Sequence, residues 1–376
     1  MKTRILNKMY LCAIVLFALL SIAVVEGLGS NSENNFQPVP PDQMSAILTM
    51  ISNVTQSNYD KIKTWQGKVD VTVGRIYEGT KAERVFKNQI NGEGEVPKKV
   101  KSLRETTVEF AVNCEKGLFF DKKFYRNPLR YTDVDGGRVL GTKSIVDSTI
   151  TIATPEYRIT SVPLVKREDV IITRHATKEK RAFKKDCSTC KKDIFDPRYE
   201  AIDGASFRGT FLVLLDYIKK HGEFSIGGAS LRVEKRMDGS TTEYRLEIPS
   251  PQTSPGEFVF TTMLFNSDKG FNITLSETRT ADGKLYNKVI WEYEAINGVY
   301  LPASTTIQTF AGENAELVYE SECVYTTGKL NQAIPENVFS YKNLGLKYGD
   351  KFVDRIQSKE YVYKDNILAE VEVNKK

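Results

Sequence analysis

Two cysteines in the motif Cys187-Ser-Thr-Cys190 have a spacing that is often used for chemistry. Such a pair forms a structural disulfide, supplies half of a zinc site, or exchanges with other thiols. A redox-active pair opens a helix in a βαβ unit, and a zinc site needs further ligands. The other obvious ligands are Cys114, Cys323 and His175, and none has a second paired spacing. We predict a loop disulfide without metal or cofactor and keep the redox and metal forms as alternatives.

The sequence contains two histidines, His175 and His221, that could take part in nucleophilic catalysis. A Ser-His-acid arrangement needs one of them. His221 lies at the end of a predicted helix and His175 lies in a basic loop, and neither has a convincing partner. Asp133-x-Asp135-Gly136 lacks the later ligands of a calcium loop and predicts a turn. We therefore predict a protein that is not an enzyme.

Basic residues crowd the segment around the cysteine pair, which we predict to be an inserted loop over residues 174–200. They are Lys178, Lys180, Arg181, Lys184, Lys185, Lys191 and Lys192. A charged loop is commonly just a solvated surface. The alternative is a patch that attracts anionic lipid headgroups or acidic glycans, where each charge near a membrane adds about 1 kcal/mol.

The N-terminus has the order of a secretory signal. Lys2, Arg4 and Lys8 precede an apolar run over residues 9–25, after which the sequence becomes polar. We predict a signal peptide over residues 1–27, a linker over 28–41 and a periplasmic or secreted protein. The run is also long enough for a retained single-helix anchor.

The rest of the chain, residues 42–376, is predicted to be a single β-rich domain. Its formal net charge of +5 comes partly from the leader, which argues against a nucleic-acid binder. Two helices are predicted. The first follows an N-cap at Asp42 and has an apolar face at Met44, Ile47, Leu48 and Ile51. The second covers residues 206–221.

The segment over residues 256–325 predicts a meander of long alternating strands. Turns are expected at residues 268–270, 282–283 and 297–298. Two helices are few for so many strands. The predicted fold is therefore mainly β (α+β), with a strongly curved antiparallel sheet or half-open β-barrel and about two covering helices.

Aromatic side chains on this meander are the candidate ligand-binding residues. They are Phe258, Phe260, Trp291, Tyr293 and Tyr319. A curved apolar sheet face under partial helical cover suits an apolar ligand. The same residues can also pack against each other as a filled core, and both interpretations stay open.

The order of elements, together with several short stretches, resembles the LolA/LolB/RseB superfamily of periplasmic lipoprotein carriers and sensors. The stretches are Tyr59–Gly67, Gly270–Ile273, Asp282–Gly283, Trp291–Tyr293 and Asn297–Pro302. The resemblance implies a half-open β-barrel that is closed by helices and holds acyl chains or lipid-modified peptides.

We therefore expect an exported cell-envelope protein that binds a lipid, lipoprotein or other apolar ligand non-covalently. Expected partners are that ligand, an envelope protein or a membrane surface, and not nucleic acid. One alternative is an envelope sensor or protein-interaction module with a filled core. Another is a thiol or metal protein that uses Cys187 and Cys190.

Overall fold

The structure is a computed structural model that describes most of the chain from residue 36 to residue 371. The described ranges are 36–143, 149–155, 157–162, 182–187, 225–226, 229–251, 258–280, 282–312, 314–354 and 357–371. The predicted signal peptide, most of the linker and the predicted helix over residues 206–221 lie outside these ranges.

The described residues are mainly β, as predicted, with two α-helices. The first elements are β1 (Gln37–Pro38), α1 (Pro41–Asp60), β2 (Thr64–Glu78), α2 (Gly79–Gln89), β3 (Lys99–Asn113), β4 (Leu118–Tyr125), β5 (Leu129–Asp133), β6 (Val139–Lys143), β7 (Thr149–Ala153), β8 (Tyr157–Val162) and β9 (Ala182–Cys187). The next are β10 (Ser225–Ile226), β11 (Ala229–Ser230), β12 (Arg232–Asp238), β13 (Thr241–Pro251), β14 (Phe258–Asn266), β15 (Asn272–Arg279), β16 (Leu285–Ile296), β17 (Val299–Ala311) and β18 (Glu316–Leu330). The last are β19 (Lys351–Asp354), β20 (Lys359–Lys364) and β21 (Ile367–Val371).

The chain divides into two compact units. The first unit contains described residues 36–60 and 225–322, and the second contains described residues 61–187 and 323–371. The boundary falls within β18. Compact units can be parts of one domain, so the single domain over residues 42–376 stays a prediction.

The first unit contains the predicted meander. Its strands pair antiparallel in the order β1, β12, β13, β14, β15, β16, β17. A short 3-10 helix, Ser267–Lys269, joins β14 to β15, and Gly270 follows it with a left-handed φ of 62°. Asn297 and Gly298 join β16 to β17 with φ values of 52° and 74°. The predicted turns and strand order of the meander are confirmed.

Helix α1 is fixed to the turns of this meander through its last residues. Asn58 donates from Nδ2 to the Tyr300 carbonyl at 2.9 Å and accepts from the Tyr300 N–H at 2.8 Å. The Tyr59 hydroxyl donates to Asn272 Oδ1 at 2.8 Å. The helix begins at Pro41, so the expected N-cap, Asp42, lies inside the first turn instead. Proline is favoured there because the first helical N–H has no intrahelical partner.

The second unit contains a mainly antiparallel set of strands. Its strands pair in the order β2, β3, β4, β7, β8, β9, β19, β20, β21, and only the pairing between β9 and β19 is parallel. The hairpin of β5 and β6 pairs with the first residues of β3. Helix α2 was not predicted. Its Ala82 packs with Val100 and Tyr131, which shows that tertiary packing stabilises this short polar helix.

The predicted inserted loop over residues 174–200 needs a correction. Residues 182–187 form β9, which pairs with β8 and β19. Lys184 and Lys185 are in this strand, and the structure describes only their backbone. Residues 182–187 are thus a strand and not a loop, which the basic residues hid in the sequence, while the insertion itself stays a prediction. The other five basic residues of the predicted patch lie outside the described ranges.

Aromatic side chains form the packed centre at one end of β2. The Trp65 ring meets Phe110 edge-on with centroids 4.9 Å apart, and it stacks on Tyr325 at 6.3 Å. Gly67 lies next to this cluster because β2 pairs closely with β18. A Cβ on Gly67 would lie 2.5 Å from the Thr326 carbonyl oxygen, which is a backbone atom that cannot rotate away.

We expect Gly67→Ala to lower the free energy of unfolding by about 1–3 kcal/mol, because the methyl group would force two paired strands apart. Gly74→Ala on the same strand is the control. There the added Cβ meets only the flexible end of Lys101, at 3.3 Å, and the change should stay within about 0.5 kcal/mol. Urea denaturation measures both. Equal effects would contradict the close approach of β2 and β18.

Removing the Asn58 side chain should also destabilise the protein. Asn58→Ala leaves the Tyr300 N–H and carbonyl without their partner, and we expect a loss of about 1–3 kcal/mol. Ser57→Ala, one residue away on the exposed side of α1, should be neutral or slightly stabilising. The comparison uses urea midpoints. An Asn58 variant as stable as the Ser57 variant would show that the contact does not hold α1.

Candidate ligand-binding site

Register places an apolar row across the first unit. Neighbouring strands align Val233 with Leu246, Leu246 with Met263, and Val289 with Ile307. Ser276 lies between Met263 and Val289 and completes the row. The apolar side chains of this row are buried. We call the side of the sheet that carries this row the apolar face.

A polar row runs beside the apolar row on the same face. Register aligns Thr261 with Thr278, Thr278 with Asn287, and Asn287 with Thr309. The hydroxyls of Thr261 and Thr278 are 3.1 Å apart and share a hydrogen bond. All four residues of this row are half-buried. The apolar face therefore has a polar border at the end where these residues lie.

An asparagine and a threonine on the apolar face each have a polar atom that forms no hydrogen bond within the described residues. One is Asn287 Oδ1, in the polar row. The other is the hydroxyl of Thr305, whose side chain is aligned with Trp291 and is 0% exposed. A buried polar group without a partner costs about 1–3 kcal/mol. Such atoms are rare in folded proteins, and ordered water or a ligand commonly supplies their partner.

The opposite side of the same strands, which we call the ion-pair face, is different in character. Lys288 pairs with Glu277 at 3.2 Å, and Arg279 pairs with the same carboxylate at 3.0 Å. Phe36, ahead of β1, lies under the guanidinium groups of Arg236 and Arg245, each 4.8 Å from its ring centroid. The charged groups of this face pair with each other or with an aromatic ring, so this face is the weaker candidate for an apolar ligand.

The predicted aromatic site residues are divided between the two faces. Trp291 and Tyr293 lie on the apolar face with 4% and 5% of their surface exposed, and the Tyr293 hydroxyl donates to the Ile273 carbonyl at 3.1 Å. Tyr319 is half-buried and alternates with Glu320, which accepts a hydrogen bond from Gln308 on the ion-pair face. Tyr319 therefore shares the apolar face.

Phe260 lies on the ion-pair face, because it alternates with Thr261 of the polar row and is aligned with Arg279. Phe258 begins β14, and the structure describes only its backbone. The structure thus brings together three of the five predicted residues and separates Phe260 from them. The sequence prediction missed three residues of the apolar face, Thr261, Asn287 and Thr305. A small polar residue in a strand gives no sign of which face it lies on before the register is known.

The candidate groups for chemistry are only partly described. Cys187 ends β9, while Cys190, His175 and His221 lie outside the described ranges, so the proposed disulfide stays a prediction. Asp133 accepts hydrogen bonds from the N–H groups of Asp135 and Gly136, both at 3.2 Å, which confirms the predicted turn. Among the described residues, no group of His, Cys, Asp and Glu side chains could hold a metal ion. No described helix is long and apolar enough to cross a membrane.

A carboxyl group in the second unit is desolvated. Asp121 on β4 is aligned with Phe110 and Thr151, and burial raises its pKa to about 6. A hydrogen bond from Thr151 and the charges of Arg158 and Lys123 act in the opposite direction. The folded state therefore binds this proton more tightly than the unfolded state, where the pKa is close to 3.8.

This shift predicts a pH-dependent effect of Asp121→Asn. Above pH 6 the ionised carboxylate weakens the fold, and this cost disappears as the pH falls from about 6 to about 4. The variant should gain about 1–3 kcal/mol over the native protein at pH 7.5 and much less at pH 4. Unfolding free energies at both pH values measure the difference. A gain that is the same at both would contradict the raised pKa.

Solved structures include two chains that are similar to this one. One is a LolA superfamily protein from Nitrosomonas europaea, with 10% sequence identity and a TM-score of 0.31 over 78% of this chain and 97% of that chain. Another is an outer membrane lipoprotein-sorting protein domain from Vibrio parahaemolyticus, with 10% identity and a TM-score of 0.33 over 78% of this chain and 96% of that chain. No family model and no curated protein matches the chain.

The resemblance predicted from the sequence is thus found again among solved structures. Both TM-scores are below 0.5, so the function has to be inferred from the residues of this chain.

Proposed function

We propose that this chain is an exported cell-envelope protein that binds a lipid, the acyl chains of a lipoprotein or another apolar ligand on the apolar face of its first unit. The protein holds the ligand without a chemical reaction. One observation carries the proposal: the hydroxyl of Thr305, next to Trp291 on the apolar face, is fully buried and has no hydrogen-bond partner among the described residues.

The layout of the apolar face suits an amphiphile. The apolar row supplies contact for an alkyl chain, and the polar row supplies hydroxyl and amide groups for its polar end. Binding sites for small molecules typically combine a mainly apolar lining with a few placed polar groups. A donor at the polar end of the ligand would satisfy Asn287 Oδ1, whereas the Thr305 hydroxyl lies beyond the apolar row, roughly 13 Å further along the strands, and would need a second polar group of the ligand.

The leader supports a function outside the cytoplasm. Lys2, Arg4 and Lys8 followed by the apolar run favour export, so the protein meets membrane lipids and lipid-modified proteins in the envelope. Acyl chains that move through the aqueous part of the envelope must be shielded from water, and a binding protein in the envelope can provide this shielding. The partner in this proposal is therefore a lipid or lipoprotein.

The test uses lipid extraction and a neutral apolar probe. Mass spectrometry of an organic extract of the purified protein should find co-purified lipid, and N-phenyl-1-naphthylamine should gain fluorescence on binding. Thr261→Arg places a long charged side chain in the polar row and should weaken probe binding about tenfold or more. Thr262→Arg, the next residue in β14, faces the ion-pair face and is the matched control.

The two variants separate blocked binding from general damage. Both threonines are half-buried, so their folded fractions should be similar, and circular dichroism checks this. The proposal fails if the native protein neither carries lipid nor binds the probe. It also fails if the two arginine variants lose the same affinity.

A further inference from the structure

The second unit has a sheet face of its own that combines buried valines with cations. On this face register aligns Val73 with Arg104, Val71 with Thr106, and Val69 with Val108. The next strand adds Tyr125 beside Thr106 and Lys123 beside Val108. We call it the valine face. Val69, Val71 and Val108 are nearly fully buried there.

Two neighbouring polar atoms on the valine face form no hydrogen bond within the part of the chain that the structure describes. The Thr106 side chain is 1% exposed, and its hydroxyl forms no hydrogen bond. Arg104, two residues earlier on β3, has a buried Nε that forms none either. Residues two apart on a strand point to the same side and lie roughly 7 Å apart. A hydroxyl and a guanidinium group therefore face one small region together.

The charges around this region favour an anion. Glu105 is on the other side of β3, where its carboxylate accepts a hydrogen bond from Asn127. Asp121 is the carboxylate on the valine face, and Arg158 and Lys123 both lie close enough to stabilise its charge. Arg104 forms no ion pair or hydrogen bond within the described residues. Its positive charge is thus available to a ligand.

The residues at the border of this region are less buried than those inside it. Arg104, Lys123 and Tyr125 are half-buried, whereas Val71 and Thr106 beside them are fully buried. A ligand would place its charged end at Arg104, and its apolar part would reach the buried valines by displacing the side chains that now cover them. Guanidinium groups bind carboxylate and phosphate oxygens through paired hydrogen bonds, and a neighbouring hydroxyl adds a further donor.

We propose that Arg104 and Thr106 form a binding site for an oxyanion, a carboxylate or a phosphate, carried by an amphiphile whose tail lies on Val69, Val71 and Val73. The site lies in the second unit and does not depend on the function proposed for the first unit. It adds charge selectivity, which the apolar face lacks.

Isothermal titration of the full mature protein with dodecanoate, dodecanol and inorganic phosphate tests this site. Dodecanoate should bind the native protein. Arg104→Gln should weaken dodecanoate binding about tenfold or more and leave the affinity for dodecanol unchanged. Arg126→Gln is the control, because Arg126 lies on the opposite side of the sheet, 3.7 Å from Asp70. Saturable binding of inorganic phosphate that Arg104→Gln abolishes would assign the site to a free anion instead of an amphiphile.

Thr106→Val keeps the shape of the side chain and removes the hydroxyl. The ligand-free variant should be at least as stable as the native protein, with an equal or higher urea midpoint, because an unsatisfied buried hydroxyl is lost. Dodecanoate should bind it several-fold more weakly. This pairing of unchanged or higher stability with weaker binding is not expected of a residue with only a structural role.

Several results would overturn the proposal. The first is an Arg104→Gln variant that binds dodecanoate and phosphate as the native protein does. The second is an equal loss of affinity in Arg126→Gln. The third is a stable Thr106→Val variant with unchanged affinity. Thr261→Arg of the first unit should leave dodecanoate binding at this site intact, so failure here is distinguishable from failure at the apolar face.

Discussion

Antiparallel register is the constraint on which both units depend, because it decides which side of a strand each residue faces. In the first unit it places Met263 and Val289 in the apolar row while the residues that follow them, Leu264 and Ile290, face the ion pairs. A slip of one residue would exchange these surfaces completely. Turns therefore have to fix the register. The turn between β16 and β17 does so with two left-handed residues, and α1 binds the backbone of Tyr300 just beyond it.

Much of the first unit could be predicted, because its sequence signals are local. The Asn297-Gly298 dipeptide predicts a hairpin because both residues readily adopt the positive φ that the turn needs, and both have positive φ in the structure. Alternation of apolar and polar residues predicts the strands between the turns. The second unit was harder. Helix α2 has few apolar residues, and its stability comes from contacts of Ala82 with Val100 and Tyr131, which are distant in sequence. Strand β9 was hidden for a similar reason, since its pairing with β19 is a long-range contact.

The candidate site was only partly predictable, because membership of a face depends on how strands align. The sequence prediction grouped the aromatic residues of the meander by residue type. The alignment of β14, β15 and β16 places Phe260 on the opposite face of the sheet from Trp291. Irregular pairing adds to the difficulty. The register shifts between Glu292 and Tyr293 and changes which β17 residue each one meets. No local pattern announces such shifts, so the threonines of the polar row could not be assigned to the apolar face in advance.

Threonine at a fully buried strand position needs an explanation, because valine has nearly the same shape and carries no polar atom. Both are β-branched and suit a strand, so folding alone gives no reason to keep an unsatisfied hydroxyl. Each unit nevertheless has one, Thr305 in the first and Thr106 in the second. Their surroundings differ in charge. Thr305 is aligned with Trp291, whereas Thr106 lies two residues from Arg104, an arginine that forms no ion pair within the described residues. In our two proposals, the same unsatisfied group therefore belongs to a site for a neutral apolar ligand in one setting and to a site for an anion in the other.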